Sequence, residues 1–290
     1  MLTQYRGLFT ALITPFKNDK IDRGAIELIV TKLLNNKVAG FVPCGTTGES
    51  PTLDDDEWQE VCEIVINQVN GKVPVMVGAG SNSTAATIKK VKQAAKMNAN
   101  SVLLITPYYN KPTNEGLFEH FKAISESSDL PIFLYNNPGR TITDLDDDLI
   151  CRLSELKNIV GVKDATGDLE RPVKLKRLVG ENFIQFSGND STALVFNVQG
   201  GFGCISALSN VLSEYCVRLQ TEPLESAIKL NLELSEVFTL LYSRTNPIVI
   251  KYAASLLGLC TPEIRLPLSK PDADTCNQVK RVLTKMGLYE

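Results

Sequence analysis

Read as a string of apolar and polar positions, the chain alternates between two textures. Short apolar, β-branched runs recur as FTALIT from Phe9, GFVPC from Gly40, PVMVGA from Pro74, SVLLIT from Ser101, PIFLYN from Pro131, IVGVKD from Ile159, FIQFSG from Phe183 and GCISAL from Gly203. Their starts lie roughly 20 to 34 residues apart. Between them, over residues 25–37, 55–69, 83–97, 114–125 and 169–178, apolar positions return with the period of an amphipathic helix. Start signals support several of these, Ser83 or Thr84 before AATIKKVKQAAK and Asn114-Glu115 before the run holding Phe118 and Phe121.

Strands that are nearly all apolar, each followed by an amphipathic helix, are buried on both faces and therefore parallel. Eight such units predict a closed (β/α)8 barrel, a TIM barrel, in preference to an open doubly wound sheet. The open sheet's dinucleotide fingerprint is also incomplete, because residues 78–83, GAGSNS, lack the third glycine. After about residue 211 the strands stop, and 224–241, 247–257 and 273–286 read as helices. The expected organisation is a catalytic barrel over 1–223 with a small C-terminal helical extension over 224–290.

Composition narrows the function more than the fold. With 30 basic against 33 acidic side chains, the chain has no electrostatic reason to bind nucleic acid or an anionic membrane. No apolar run approaches a membrane span, and the N-terminal residues lack a secretory pattern. Seven scattered cysteines without a CxxC pair read as reduced thiols in a cytoplasmic protein. His120 is the only histidine, and at helical spacing among Leu117, Phe118 and Phe121 it reads as a packing residue. Chemistry that rests on a Ser-His-Asp, Cys-His or HExxH arrangement therefore loses its support.

In a barrel, the segments that leave the C-terminal strand ends share one mouth, where sites are built. Here they are GTTGES (45–50), TPYYNK (106–111), YNNPGRT (135–141), KDATG (163–167) and SGND (187–190). Lys163 has two readings: an ammonium that snorkels from a strand end, or a desolvated amine able to attack a carbonyl and form an iminium. Tyr135 is either a rim aromatic or a proton carrier beside that amine. Thr46 and Thr47 are turn formers, or part of a turn whose N–H groups suit a small carboxylate. Arg140 is a solvated loop charge or a bidentate grip on a second carboxylate. The pair Tyr108-Tyr109 either closes the mouth or reaches a neighbouring subunit. Asp164 points away from Lys163 on strand alternation and is assigned no catalytic part.

GTTGES, ITPYYNKP, YNNPGRT, GVKDATGD and FSGND, in that order, resemble the pyruvate-dependent class I aldolases of the dihydrodipicolinate synthase and N-acetylneuraminate lyase family. The resemblance runs from Gly7 to about residue 270 and includes NPIVIK at 246–251. It implies that Lys163 forms a Schiff base with pyruvate. Tyr135, Thr46 and Tyr109 would form a proton relay, with Tyr109 serving the adjacent subunit's site. Thr47 would hold the pyruvate carboxylate, Arg140 the carboxylate of the second substrate, and Gly188 and Ile205 would line the site through their backbones. No cofactor and no metal is implied; a homotetramer built as a dimer of dimers is.

Thr46 together with Arg140 favours the synthase branch, which condenses pyruvate with aspartate semialdehyde in lysine biosynthesis, over neuraminate and keto-deoxy sugar-acid aldolases. A catalytically dead barrel is disfavoured by the intact Lys163, Tyr135, Thr46 and Tyr109. The sequence departs from the family at CISALSN, where Ala207 and Ser209 stand in place of a Val-Thr-Ala or Val-Thr-Ser stretch. It departs again at the feedback site that some synthases use for lysine. Ser50, Asn82 and Tyr108 match that site, but Pro51, Asp55, Trp58 and Ala86 replace its polar or ionisable ligands, so lysine inhibition is expected to be weak or absent.

Overall fold

The eight apolar runs form the eight strands of a parallel barrel in the computed structural model, which describes residues 2–290. They are β1 (Gly7–Ala11), β2 (Gly40–Val42), β3 (Met76–Gly78), β4 (Ser101–Ile105), β5 (Ile132–Asn136), β6 (Ile159–Asp164), β7 (Ile184–Ser187) and β8 (Gly203–Ser206). Neighbouring strands pair in sequence order, and β8 closes on β1 with Gly7 opposite Gly203. The last seam, between β2 and β3, is short: one bridge pairs Phe41 with Val75, with Phe41 N donating to Pro74 O and Gly78 N to Pro43 O. A two-strand hairpin, Phe16–Lys17 with Lys20–Ile21, follows β1 and was not expected from the pattern.

The shell helices are α1 (Arg23–Asn35), α2 (Asp55–Val69), α3 (Thr84–Lys96), α4 (Asn114–Ser125), α5 (Asp147–Ser154), α6 (Arg171–Val179), α7 (Ala193–Val198) and α8 (Ser209–Thr221). The first turns of α1 to α5 are held by side-chain caps, which satisfy backbone N–H groups that have no helical partner. Ser83 caps α3 by accepting from the N–H of Ala86, and Asp54 and Glu57 make a reciprocal capping box on α2. On α4 the cap is Thr113, one residue before the expected Asn114, and its hydroxyl accepts from Gly116 N. Helices α5 and α7 are short, and the periodicity did not reveal them.

Beyond α8 lie α9 (Leu224–Glu233), α10 (Ser235–Leu241), α11 (Ile248–Leu256) and α12 (Ala273–Lys285). The expected helix over 224–241 is two, because the chain turns at Leu234, whose N–H bonds back to Leu230. α11 packs on α8 and α12, so this helical region lies against the barrel shell. The larger apolar core fills the space between strands and helices, and a second, smaller core fills the barrel itself with Tyr5, Phe9, Phe133 and Phe186.

Candidate active site

A cavity of about 700 Å³ opens at the C-terminal ends of the strands. Of the eight residues singled out from the sequence, seven line it: Lys163, Tyr135, Thr46, Thr47, Arg140, Gly188 and Ile205. The eighth, Tyr109, does not. It is 88% exposed, at a positive φ of 75°, and is not among the residues that line this cavity.

Lys163 is the penultimate residue of β6 and faces the barrel interior, 6% exposed. Its Nζ sits 4.3 Å from the centre of the Tyr135 ring, one strand away at the same level, since Tyr135 and Lys163 are register partners. The Tyr135 hydroxyl accepts a hydrogen bond of 2.8 Å from Asn137 Nδ2. Burial alone would push that hydroxyl's pKa up. The Lys163 charge, the Asn137 bond, Arg140 and Thr46 together outweigh it, so the phenol sits below its ordinary value. A phenol made easier to ionise, beside an amine, is suited to pass a proton in both directions. Asp164, next in sequence, turns outward into an ion pair with Arg171 at 3.2 Å and a bond with Thr166, a structural role in keeping with strand alternation.

The turn after β2 is a compact knot. Gly48 N and Ser50 N donate to Gly45 O, and Glu49 N donates to Thr46 O. These three N–H groups are spent on the turn itself. The N–H groups of Thr46 and Thr47, which the sequence reading offers to a small carboxylate, carry no such bond among the described residues. Glu49, in the left-handed region at φ 53°, sends its carboxylate into the protein. One oxygen meets Lys251 Nζ at 2.5 Å, with both side chains 1% exposed, and the other accepts from Arg265 N at 3.0 Å. The turn after β2 is thereby tied to α11 and to the segment beyond it.

The C-terminal region also enters the site directly, through residues 242–246. Asn246 Nδ2 donates to Thr47 Oγ1 at 2.9 Å, and Arg140 Nη2 donates to the backbone oxygen of Asn246 at 3.2 Å. Tyr242 donates its hydroxyl to Asp190, whose same carboxylate oxygen accepts from Ala207 N and Leu208 N at 3.1 and 3.2 Å. Tyr242 is partly exposed, yet burial around its hydroxyl and the Asp190 charge push that hydroxyl's pKa well up. Ala207, flagged as a departure from the family, is thus pinned by its backbone. Gly188 also has a steric reason to be glycine, since a Cβ there would stand 2.7 Å from Ala165 Cβ.

Asn137, Asp190, Tyr242 and Asn246 were not singled out from the sequence. Asn137, Asp190 and Asn246 lie inside motifs that were noticed, YNNPGRT, FSGND and NPIVIK, so the motif boundaries were the available signal. Tyr242 had none.

Comparison with known proteins places this geometry. Residues 4–286 match the model of the dihydrodipicolinate synthetase family. A 4-hydroxy-tetrahydrodipicolinate synthase of Parvibaculum lavamentivorans is 45% identical over 98% of this chain and 99% of its own. A solved structure described as the first monomeric dihydrodipicolinate synthase variant superposes with a TM-score of 0.96 at 41% identity, covering 99% of this chain and 98% of that one. The dihydrodipicolinate synthase of Thermotoga maritima gives a TM-score of 0.95 at 41% identity, over 98% and 99% of the two chains.

Proposed function

The chain belongs to the dihydrodipicolinate synthetase family, and from that premise we propose that Lys163 is the amine on which it condenses pyruvate with L-aspartate 4-semialdehyde. It is a lyase of the Schiff-base-forming class, and its product enters lysine biosynthesis by way of diaminopimelate. The observation that carries the assignment of roles is the pairing of the Lys163 amine with the Tyr135 ring at 4.3 Å, in a cavity that also holds Thr46, Thr47 and Arg140.

In its neutral form Lys163 attacks the keto carbon of pyruvate, and the resulting carbinolamine loses water to give an iminium. Tyr135 supplies the proton that leaves with that hydroxyl and is recharged through Thr46. Loss of a methyl proton gives the enamine, whose carbon attacks the aldehyde. The amine of the second substrate then attacks the iminium carbon, closes the six-membered ring and expels Lys163, so that one water is released per turnover. Thr47 holds the pyruvate carboxylate and Arg140 that of the semialdehyde, with Gly188 and Ile205 presenting backbone to the bound pair.

Tyr109 completes the relay in a second copy of the chain. Its exposure beside Tyr108 and the 72% exposed Ile142 supports a surface that another subunit covers. A homotetramer of two such dimers is the assembly this reading entails, and the enzyme is cytoplasmic. Residues 224–290 act in this reading as an appended unit that reaches back to the mouth. No helix among the described residues is long and apolar enough to cross a membrane.

The test is borohydride reduction in the presence of pyruvate, followed by mass spectrometry of the peptide that contains Lys163. A reduced adduct on that lysine is expected, together with its loss and loss of turnover in Lys163→Ala. An unmodified peptide from active enzyme would refute the mechanism.

A further inference from the structure

Asn246 stands at the head of NPIVIK, a motif to which neither the sequence analysis nor the reaction just described gives any chemical part. Its side chain makes one hydrogen bond among the described residues, the 2.9 Å donation from Nδ2 to Thr47 Oγ1. The other end of the amide, Oδ1, is buried without a donor. An acceptor left in that condition is uncommon in folded proteins, and it leaves the bond to Thr47 as the one hydrogen bond of this amide among the described residues. Its backbone oxygen meanwhile receives Arg140. One residue, supplied from the helical region 199 positions away in sequence, therefore touches the holders of both substrate carboxylates.

The direction of the Thr47 bond matters because a hydroxyl has one hydrogen and two lone pairs. Thr47 is 3% exposed, and among the described residues its hydroxyl donates to no protein acceptor. With a lone pair occupied by the Asn246 N–H, the hydroxyl keeps its hydrogen for the cavity, where the reading above puts the pyruvate carboxylate. A hydrogen bond to an ionised acceptor is among the stronger ones available to a neutral hydroxyl. We infer that Asn246 is a positioning residue that fixes the Thr47 hydroxyl as a donor toward the substrate carboxylate, so that the C-terminal helical region sets pyruvate affinity without touching pyruvate.

An aspartate in this place tests the polarity directly. It matches asparagine in shape but has no N–H, and ionised it only accepts. In Asn246→Asp the Thr47 hydrogen turns to the aspartate and leaves the substrate carboxylate facing lone pairs. In Asn246→Ala the hydroxyl is merely released to rotate. The inference thus ranks the isosteric change as the more harmful one, the reverse of what a packing role predicts.

The experiment measures the pyruvate concentration that half-saturates the borohydride-trapped Lys163 adduct in six proteins: wild type, Asn246→Ala, Asn246→Asp, Thr47→Val, and each Asn246 change combined with Thr47→Val. The adduct formed at saturating pyruvate counts the folded sites in each preparation, so a poorly folding variant does not distort its own half-saturation. We expect a rise of a few-fold for Asn246→Ala and of roughly ten-fold or more for Asn246→Asp, the scale of a lost bond to a charged group. With valine at 47, Asn246→Ala should add nothing further, and the excess of aspartate over alanine should shrink to what the added charge alone produces. Equal or milder harm from aspartate would overturn the inference. So would an excess that persists undiminished with Thr47→Val, since it would then be charge repulsion only. Because the inference rests on the Lys163 reading, the wild type is the discriminating arm: no adduct there defeats that reading, whereas a normal wild-type curve with the wrong ranking of variants defeats only the part given to Asn246.

Discussion

Two successive layers of side chains fill the inside of this barrel, and the same strands supply both. On β5 the inward residues are Phe133 and then Tyr135; on β1 they are Phe9 and Ala11; on β7 Phe186 is followed by Gly188 just past the strand end. On β6 the order of sizes is reversed, with Gly161 below and Lys163 above. A Cβ on Gly161 would stand 2.3 Å from the Ile184 backbone oxygen and 2.8 Å from the Phe133 ring, so the backbone of β7 and the phenylalanine together require glycine there. The lower layer is a plug of rings, Tyr5, Phe9, Phe133 and Phe186, with centroids 5.0 to 6.1 Å apart. The upper layer trades that filling for a cavity with an amine, a phenol and two threonines. A single two-residue step along a strand separates a position that holds the barrel together from one to which the proposed reaction gives a chemical part.

Tyr135→Phe is the sharpest way to break the upper layer alone, because it removes one oxygen and leaves the ring that Lys163 faces. Proton delivery to the carbinolamine is lost, so kcat should fall by roughly 10²–10⁴-fold. The oxygen's bond from Asn137 is worth little to the fold, and the denaturant midpoint should stay near that of the wild type. Steady-state kinetics beside urea unfolding checks both halves. A large loss of stability with the rate retained would mean the two layers are not separable.

Phe133→Ala is the converse. The ring is fully buried between Tyr5 and Phe186, and truncating such a phenylalanine costs about 3–5 kcal/mol through lost burial and an unfilled cavity. The urea midpoint should drop sharply while the half-saturating pyruvate concentration of the surviving folded enzyme stays close to that of the wild type. If pyruvate binding collapses in a protein that is still folded, the aromatic plug is shaping the upper layer and the contrast drawn above fails.

How much of this was legible in the sequence follows the same division. Strand positions were legible because a parallel barrel strand is buried on both faces and reads as an unbroken apolar run. Lys163 stood out because it interrupts one. Seven of the eight residues singled out share the cavity because the strand ends must share a mouth. The unread parts depend on partners far away in the chain. The Glu49–Lys251 pair spans 202 positions and the Asn246–Thr47 bond 199, and no local period encodes either. The seam between β2 and β3 was likewise invisible, since so short a pairing leaves no pattern in the sequence. Helix α5 was missed because eight residues give barely two turns of periodicity.

The smallest expected effect concerns a third region, the cavity of about 380 Å³ behind the GTTGES turn, lined in part by Ser50, Pro51, Ser81, Lys90 and Tyr108. It borders the upper layer through Thr46 and Tyr135, so an occupant there would be well placed to alter the proton relay. A free lysine carries two ammonium groups at neutral pH, and burying either requires an opposing carboxylate or several acceptors. No carboxylate lines this space, and the charged side chains that do, Lys90 and Arg140, are cationic. Trp58 is fully buried, and its indole N–H is already given to Gly78 O at 2.9 Å. The Lys90 ammonium lies 5.4 Å from the centre of the Trp58 ring, occupying the face a ligand cation would seek. Asp55, the nearest acidic replacement at the family's feedback positions, is neutralised by Lys89 at 2.6 Å on the protein surface. Millimolar lysine should therefore leave the initial rate unchanged at subsaturating pyruvate, the condition most sensitive to any second occupant. Strong inhibition would mean that the carboxylate comes from outside this chain, and Lys90→Ala would then show whether the cation beside Trp58 had been opposing it.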